Sequence, residues 1–303
     1  MNLGVPSQYS QHLRVGTCSW KYDSWKGLLY DEGTAYHRDD YLVDYSKHLG
    51  TVEVDQWFWS LFPTGVKLPD RKTVEAYALS VPRDFVFSVK APNAVTLTHF
   101  YAKQPARHKE FANRPNDDFL DAGLLERFLE ALEPLASRLG PVMFQFEYLN
   151  QKKMPSRDAF LERLDAFFDK APRGFLYAVE SRNPNYLSAP YFDFLRERKI
   201  AHVFLDGYFM PPPGDVAAAN DTQTADFSVI RLHGPHRHEI EKQTGSTWNR
   251  VVAPRDEGIL SAVDIVKRNA ENAITTYVNV NNHYEGSAPL TIGRFLDALE
   301  KAE

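Results

Sequence analysis

Eight short runs of this chain are apolar over most of their length and carry a polar or charged residue in the last or next-to-last place. They are 14–19 (RVGTCS), 51–55 (TVEVD), 85–90 (FVFSVK), 141–146 (PVMFQF), 176–182 (LYAVESR), 202–206 (HVFLD), 228–233 (SVIRLH) and 275–283 (TTYVNVNNH). Their length and their β-branched or aromatic content predict strands. Between them the apolar period becomes that of a helix. Leu124, Leu125, Phe128, Leu129, Leu132, Leu135 and Leu139 form a stripe that ends at Gly140, which reads as a C-terminal stop. Phe160, Leu161, Leu164, Phe167 and Phe168 form a second before Pro172, and Ile292, Phe295, Leu296 and Leu299 a third. Strands and helices alternating this often predict a parallel sheet. No glycine-rich phosphate loop follows the first run, which continues into Trp20-Lys21-Tyr22-Asp23-Ser24-Trp25-Lys26-Gly27. An open dinucleotide-binding sheet is therefore disfavoured. The prediction is one α/β domain, a (β/α)8 TIM barrel over residues 14–303, behind an N-terminal extension of residues 1–13.

The connections are asymmetric. Those entering strands are short (48–50, 80–84, Gly140, 171–174), whereas those leaving are long (20–38, 92–118, 207–226, 234–255). Long loops in a compact domain usually bind or cover something, and a barrel builds its site from the loops at the C-terminal strand ends. Within one of them, Pro211-Pro212-Pro213-Gly214 followed by Ala217-Ala218-Ala219 reads as a mobile excursion.

Side chains of a strand alternate between the barrel interior and the helix layer. In the third run Phe85, Phe87 and Val89 share one face, which should meet helices, so Lys90 points inward. The same parity places Glu53, Asp55, Gln145, Glu180, Arg182, Asp206, Arg231, His233, Asn279, Asn281 and His283 inside. In the first run Thr17 and Ser19 are expected inside, and Cys18 outside in the core. Burying so many ionisable groups requires them to pair. Glu180 is expected against Arg182 or Arg231, and Glu53 or Asp206 against Lys90.

Composition narrows the partners. With 43% hydrophobic and 25% charged residues the chain suits a globular domain, and a net charge of −5 gives no general attraction to nucleic acid or anionic lipid. One cysteine excludes an internal disulfide, and no Cys/His spacing resembles a zinc motif. The N-terminus lacks a basic segment followed by an apolar one, and no apolar run approaches membrane-spanning length, so a cytoplasmic protein is expected.

The residues gathered at the strand ends carry a family likeness. Gly16-Thr17-Cys18-Ser19-Trp20, Trp25-Lys26-Gly27, Tyr30, Thr51-Val52-Glu53-Val54 and Phe58 open it. Phe87-Ser88-Val89-Lys90-Ala91-Pro92, Thr98-His99, Leu139-Gly140-Pro141, Gln145-Phe146, Ala178-Val179-Glu180 and Arg182 follow. Arg231-Leu232-His233-Gly234, Val280-Asn281-Asn282-His283, Gly286 and Ala288-Pro289 complete it. In this order the motifs resemble those of the domain-of-unknown-function 72 (YecE-like) family, a resemblance that implies a barrel and no settled activity. Three rim segments depart from the family pattern: Asp55-Gln56-Trp57-Phe58-Trp59, Glu147-Tyr148, and His236-Arg237-His238-Glu239 with the Gly245-Ser246-Thr247-Trp248 stretch.

The chemistry expected of the pocket is acid–base work by a hydrolase or lyase on a small anionic or sugar-like substrate. Lys90, Glu180, Arg182, Arg231 and His233 form the catalytic set, the arginines and lysine holding an anion and His233 titrating near neutrality. Thr17, Trp20, Glu53, Asp55, Trp57, His99, Gln145, Asp206, Asn281, Asn282 and His283 form the binding set, with Trp20, Trp57 and Trp59 placed at the rim for stacking. A metal-dependent phosphoesterase akin to endonuclease IV-like barrels would use Glu53, Glu180, Asp206, His233 and His283 as ligands. The neighbouring cationic side chains oppose a metal, and none is expected, nor any other cofactor. A non-catalytic barrel that binds an anionic ligand is the remaining alternative. Duplex DNA is disfavoured by the acidic balance, and oligomeric state is left open.

Overall fold

Runs of Val, Ile, Phe and Tyr with few helix formers become strands where both faces can be buried. In the computed structural model, which describes residues 3–37 and 40–302, ten strands form. They are β1 (Leu13–Cys18), β2 (Thr51–Val54), β3 (Leu61–Phe62), β4 (Gly65–Val66), β5 (Val86–Lys90), β6 (Leu139–Gln145), β7 (Tyr177–Glu180), β8 (Ala201–Gly207), β9 (Phe227–Gly234) and β10 (Thr275–Val280). Eight of them pair in parallel and close in the order β1-β10-β9-β8-β7-β6-β5-β2, while β3 and β4 form a separate antiparallel hairpin. The eight runs read from the sequence are these eight barrel strands, and the fold is the (β/α)8 TIM barrel.

The helices lie outside the barrel. Val52, Phe87, Phe144, Val179, Ile230 and Val278 of the strands share one core with Leu125 and Phe128 of the helix Ala122–Ala131. Phe160 of Arg157–Phe168, Val263 of Asp256–Glu271 and Phe295 of Ala288–Lys301 belong to it as well. Some helix starts are fixed by side-chain caps: Asp70 accepts from Thr73 N at 3.1 Å and Ser156 from Ala159 N at 3.1 Å. Among the described residues no helix is long and apolar enough to cross a membrane.

Two local readings are corrected. The segment with three prolines and three alanines is a barrel helix, Pro213–Ala219, with proline at its first positions, where the missing N–H is not needed. Ser261 Oγ accepts from Gly214 N at 2.7 Å and ties this helix to Asp256–Glu271. Gly140 does not stop a helix. The α-helix ends at Ala131, a 3-10 segment Glu133–Arg138 carrying Pro134 follows, and Gly140 lies inside β6, where a Cβ would sit 2.6 Å from Val86 Cγ1. Met1 and Asn2 of the N-terminal extension, and Arg38 at the end of the first long loop, lie outside the described residues.

Register fixes what lines the interior. Cys18 pairs with Glu53, Glu53 with Ser88, Gln145 with Glu180, and Arg231 with Asn279, so these side chains share the inner face. Below them Met143, Ala178, Ala201, Val203, Phe227, Val229 and Tyr277 form a second, apolar cluster that plugs the N-terminal half. A hollow of about 660 Å³ that includes Ala171, Pro172, Gly174, Lys199 and Ile200 opens beside the entries to β7 and β8, at the end of the barrel away from the polar strand ends.

Candidate active site

The upper interior is organised by one buried guanidinium. Arg231 on β9 donates from Nε to Glu53 Oε2 at 2.8 Å and from Nη2 to Glu53 Oε1 at 2.6 Å, a two-pronged pair with β2. Its Nη1 donates to Gln145 Oε1 of β6 at 3.0 Å and to Glu180 Oε2 of β7. Arg231, Glu53 and Glu180 are all essentially inaccessible to water. Burial alone would raise the Glu180 pKa, but Arg231 and Arg182 overcome it and bring the carboxyl down to about 2. Arg231 thus joins three strands and has little capacity left for a ligand.

Two cationic groups remain less engaged. Arg182, just past β7, donates from Nε to Glu180 Oε1 at 2.8 Å, while its terminal nitrogens have no hydrogen-bond partner among the described residues. Its guanidinium lies 3.8 Å from the ring centroid of Tyr208. Lys90, at the end of β5, makes no ion pair among the described residues. Its Nζ stands 3.4 Å from Gln145 Oε1 and 4.0 Å from the ring centroid of Phe58. Burial, and then the Arg231 charge, push the Lys90 pKa below the ordinary lysine range, against the pull of Glu53 and Asp55. Asp55, half-buried at the end of β2, has its pKa raised by burial, with Lys90 opposing.

Cys18 completes the interior. Its Sγ lies 3.6 Å from His233 Nε2. Burial, then Glu53, raise the thiol well above its usual range, and burial, then Arg231, Arg182 and Lys90, push His233 well below its own. Both shifts favour the uncharged forms of thiol and imidazole, against the expectation that His233 titrates near neutrality. Ligand atoms of Cys18, Glu53 and His233 lie within 4.8 Å of one another, a donor set of the kind zinc takes. Both oxygens of Glu53 are bridged by Arg231, however, and the guanidinium stands where a cation would draw on that carboxylate.

Several predicted site residues are placed elsewhere. Thr17 faces the helix layer: its N and Oγ1 each lie 2.9 Å from Tyr45 Oη, so the inward assignment belongs to Cys18 instead. Asp206 also faces outward, accepting from Tyr284 Oη at 2.6 Å and Arg255 Nη2 at 2.8 Å. It fits there because residue 258 is glycine; a Cβ would overlap both Asp206 and the Tyr284 hydroxyl. Neither Glu53 nor Asp206 pairs with Lys90. Trp20 is buried edge-on against Tyr77 and Trp57 stacks on the same ring, leaving Trp59, 55% exposed, as the one of the three open to stacking. His99 is fastened to Thr98 Oγ1 at 2.9 Å in the loop after β5. Asn282 Oδ1 accepts from Trp25 Nε1 and Ala288 N, and so secures loops rather than the pocket. His283 lies between Asn281 Oδ1 at 2.6 Å and Glu241 Oε1 at 3.1 Å, beside Trp248, on the rim.

Three residues of the site were not singled out from sequence as site residues: Cys18, Phe58 and Tyr208. Tyr208 roofs Arg182 and lies 5.7 Å, centroid to centroid, from His233. It follows Gly207 (φ 148°) with φ 52°, and Phe209 with φ 62° comes next. Left-handed backbone at non-glycine residues is uncommon and collects at functional sites. Ser19, directly after β1, has φ 68°. The rim loops are themselves pinned by buried asparagines: Asn93 Oδ1 accepts from Ser60 N, Ser60 Oγ and Leu61 N, and Asn183 bonds both N and O of Leu149.

With this geometry in hand, the model of the family described as "Protein of unknown function DUF72" matches residues 14–303. A DUF72 family protein from Thermotoga maritima is similar over 95% of this chain and 99% of its own, with 22% identity and a TM-score of 0.65. Another from Enterococcus faecalis is similar over 95% of both chains, with 18% identity and a TM-score of 0.64. No curated protein matches the chain.

Proposed function

The chain belongs to the DUF72 family, and from its strand-end geometry we propose that it is an acid–base enzyme, of lyase or hydrolase type, acting on a small anionic substrate. One observation carries the reading: Arg231 is bound up with Glu53 and Glu180, which leaves Lys90 without a carboxylate and Arg182 with free terminal nitrogens. Arg182 holds the anion, oriented by Glu180 beneath it and Tyr208 above. Lys90, partly stripped of water and next to a second cation, supplies a basic amine. Asp55, with its raised pKa, supplies the matching acid. Arg231 is a positioning residue, and His233 a neutral hydrogen-bonding group.

The reading is tested by solvent-deuterium exchange, followed by NMR, across small hydroxy- and oxo-carboxylates and sugar phosphates. Exchange is expected in at least one substrate class and is expected to be lost in Lys90→Met. Arg182-dependent binding with no exchange would make the chain a binding barrel instead. A zinc-dependent phosphoesterase is the second reading, favoured only by the proximity of Cys18, Glu53 and His233. Calorimetric zinc titration of the wild type and Cys18→Ser separates it.

A further inference from the structure

We propose that Lys90 is a covalent nucleophile that forms an imine with an anionic carbonyl compound, such as a small 2-oxo acid held by Arg182. This rests on the reading of the barrel mouth given above and goes further by naming the substrate class and the bond formed. A lysine placed only to balance charge would face a carboxylate. Here the interior carboxylates of Glu53 and Glu180 are committed to arginines, Asp55 acts on Lys90 without closing to an ion pair, and Lys90 Nζ meets the face of Phe58 and one long contact to Gln145. An amine so placed is desolvated and held on a strand end, at 7% exposure, close to where substrate must sit. Burial and the adjacent Arg231 shift its pKa below the ordinary lysine range, in the direction of the free amine that attack requires.

The steps balance. The Nζ lone pair attacks the carbonyl carbon, forming N–C, and a proton passes from nitrogen to the former carbonyl oxygen to give a carbinolamine. The C–O bond then breaks, the hydroxyl leaving as water with a proton from Asp55, and the nitrogen lone pair forms the iminium. That cation draws electrons from a neighbouring C–H or C–C bond, the step a lyase needs. The Asp55 carboxylate takes the proton, either from that carbon or from the hydroxyl of the fragment that leaves as a carbonyl compound, and returns it to carbon of the resulting enamine to restore the iminium. Hydrolysis returns the carbonyl and the free amine.

The test is reductive trapping on the full chain. Pyruvate or glyoxylate is added with sodium cyanoborohydride, which delivers hydride to the iminium carbon and fixes it as a secondary amine. One reduced adduct is expected, mapped by peptide mass spectrometry to Lys90 and absent there from Lys90→Arg, whose fold is checked by circular dichroism. Arg182→Ala is expected to slow trapping about tenfold, the scale of one charge-assisted contact. Oxalate, an anion with no ketone or aldehyde, is expected to protect. If Lys90 stays unmodified while oxalate still binds through Arg182, the imine is overturned and the acid–base reading stands. If oxalate does not bind and nothing is trapped, the acid–base reading itself fails.

Discussion

The two halves of the barrel interior are built by the same strands with opposite chemistry. Toward the N-terminal ends, Met143, Ala178, Ala201, Val203, Phe227, Val229 and Tyr277 pack as an apolar plug. One turn of the pleat further along, the same inner faces carry Gln145, Glu180 and Arg231, joined by Glu53 and Lys90 from β2 and β5. The plug is held by burial, which is non-directional and tolerates substitution of similar volume. The upper layer is held by directed, charged hydrogen bonds, each of which leaves a partner stranded if broken. The lower half therefore supports the fold, whereas the upper half fixes positions, and at its edge two cationic groups, Arg182 and Lys90, are less engaged by partners.

The largest expected effect is on the keystone. Arg231→Met strands the buried Glu53 carboxylate and leaves Glu180 with Arg182 as its only cation, and should destabilise the protein by about 3–5 kcal/mol in denaturant unfolding. Replacing Glu53 and Glu180 by leucine in the same chain should recover most of that loss, since an apolar set of similar volume can substitute for a buried ion network. If the triple variant is no more stable than Arg231→Met, the upper layer is not the self-contained ion network described.

Acid should separate the halves next. The folded-state pKa of Glu180, about 2, lies below its ordinary value of 4.5, so the unfolded state binds that proton more readily. Its contribution to stability is full above about pH 4.5 and is lost as pH falls toward 2. Unfolding free energy measured across that window should decline in the wild type and decline less in Glu180→Gln. Smaller still is the response of the plug: Met143→Leu should cost less than about 1.5 kcal/mol, a volume-conserving exchange in an apolar layer. Smallest is Trp59→Ala on the rim, within about 0.5 kcal/mol by thermal melting, because its ring is more than half exposed.

What was legible in the sequence follows the same division. Strand positions were readable because each barrel strand is buried on both faces and so reads as a dense apolar run. Parity placed Lys90, Glu53, Gln145, Glu180 and Arg231 on the inner face, because their strands put polar residues on one face and apolar ones on the other. It failed for β1 and β8, where polar groups occupy the outer face too. Thr17 is satisfied there by the Tyr45 hydroxyl, and Asp206 by Tyr284 and Arg255 in space left by Gly258. Such partners come from helices and loops far along the chain, so strand periodicity carries no trace of them. The same distance hid which carboxylate would pair with which cation: both glutamates meet Arg231, across 178 and 51 residues of sequence. Tyr208 was missed because its role depends on left-handed backbone after Gly207, a conformation that the residue types do not announce.

Arg231 is bound up with Glu53 and Glu180, whereas Arg182, by the proposal, takes the anion. Calorimetric titration of oxalate into the wild type, Arg182→Ala and Arg250→Ala tests it directly, Arg250 being an exposed arginine whose side chain, among the described residues, donates only to the Gln243 carbonyl in the last turn of the helix Arg237–Thr244. Arg182→Ala should weaken binding at least about tenfold and Arg250→Ala leave it unchanged. Equal affinity in the wild type and Arg182→Ala would contradict the account.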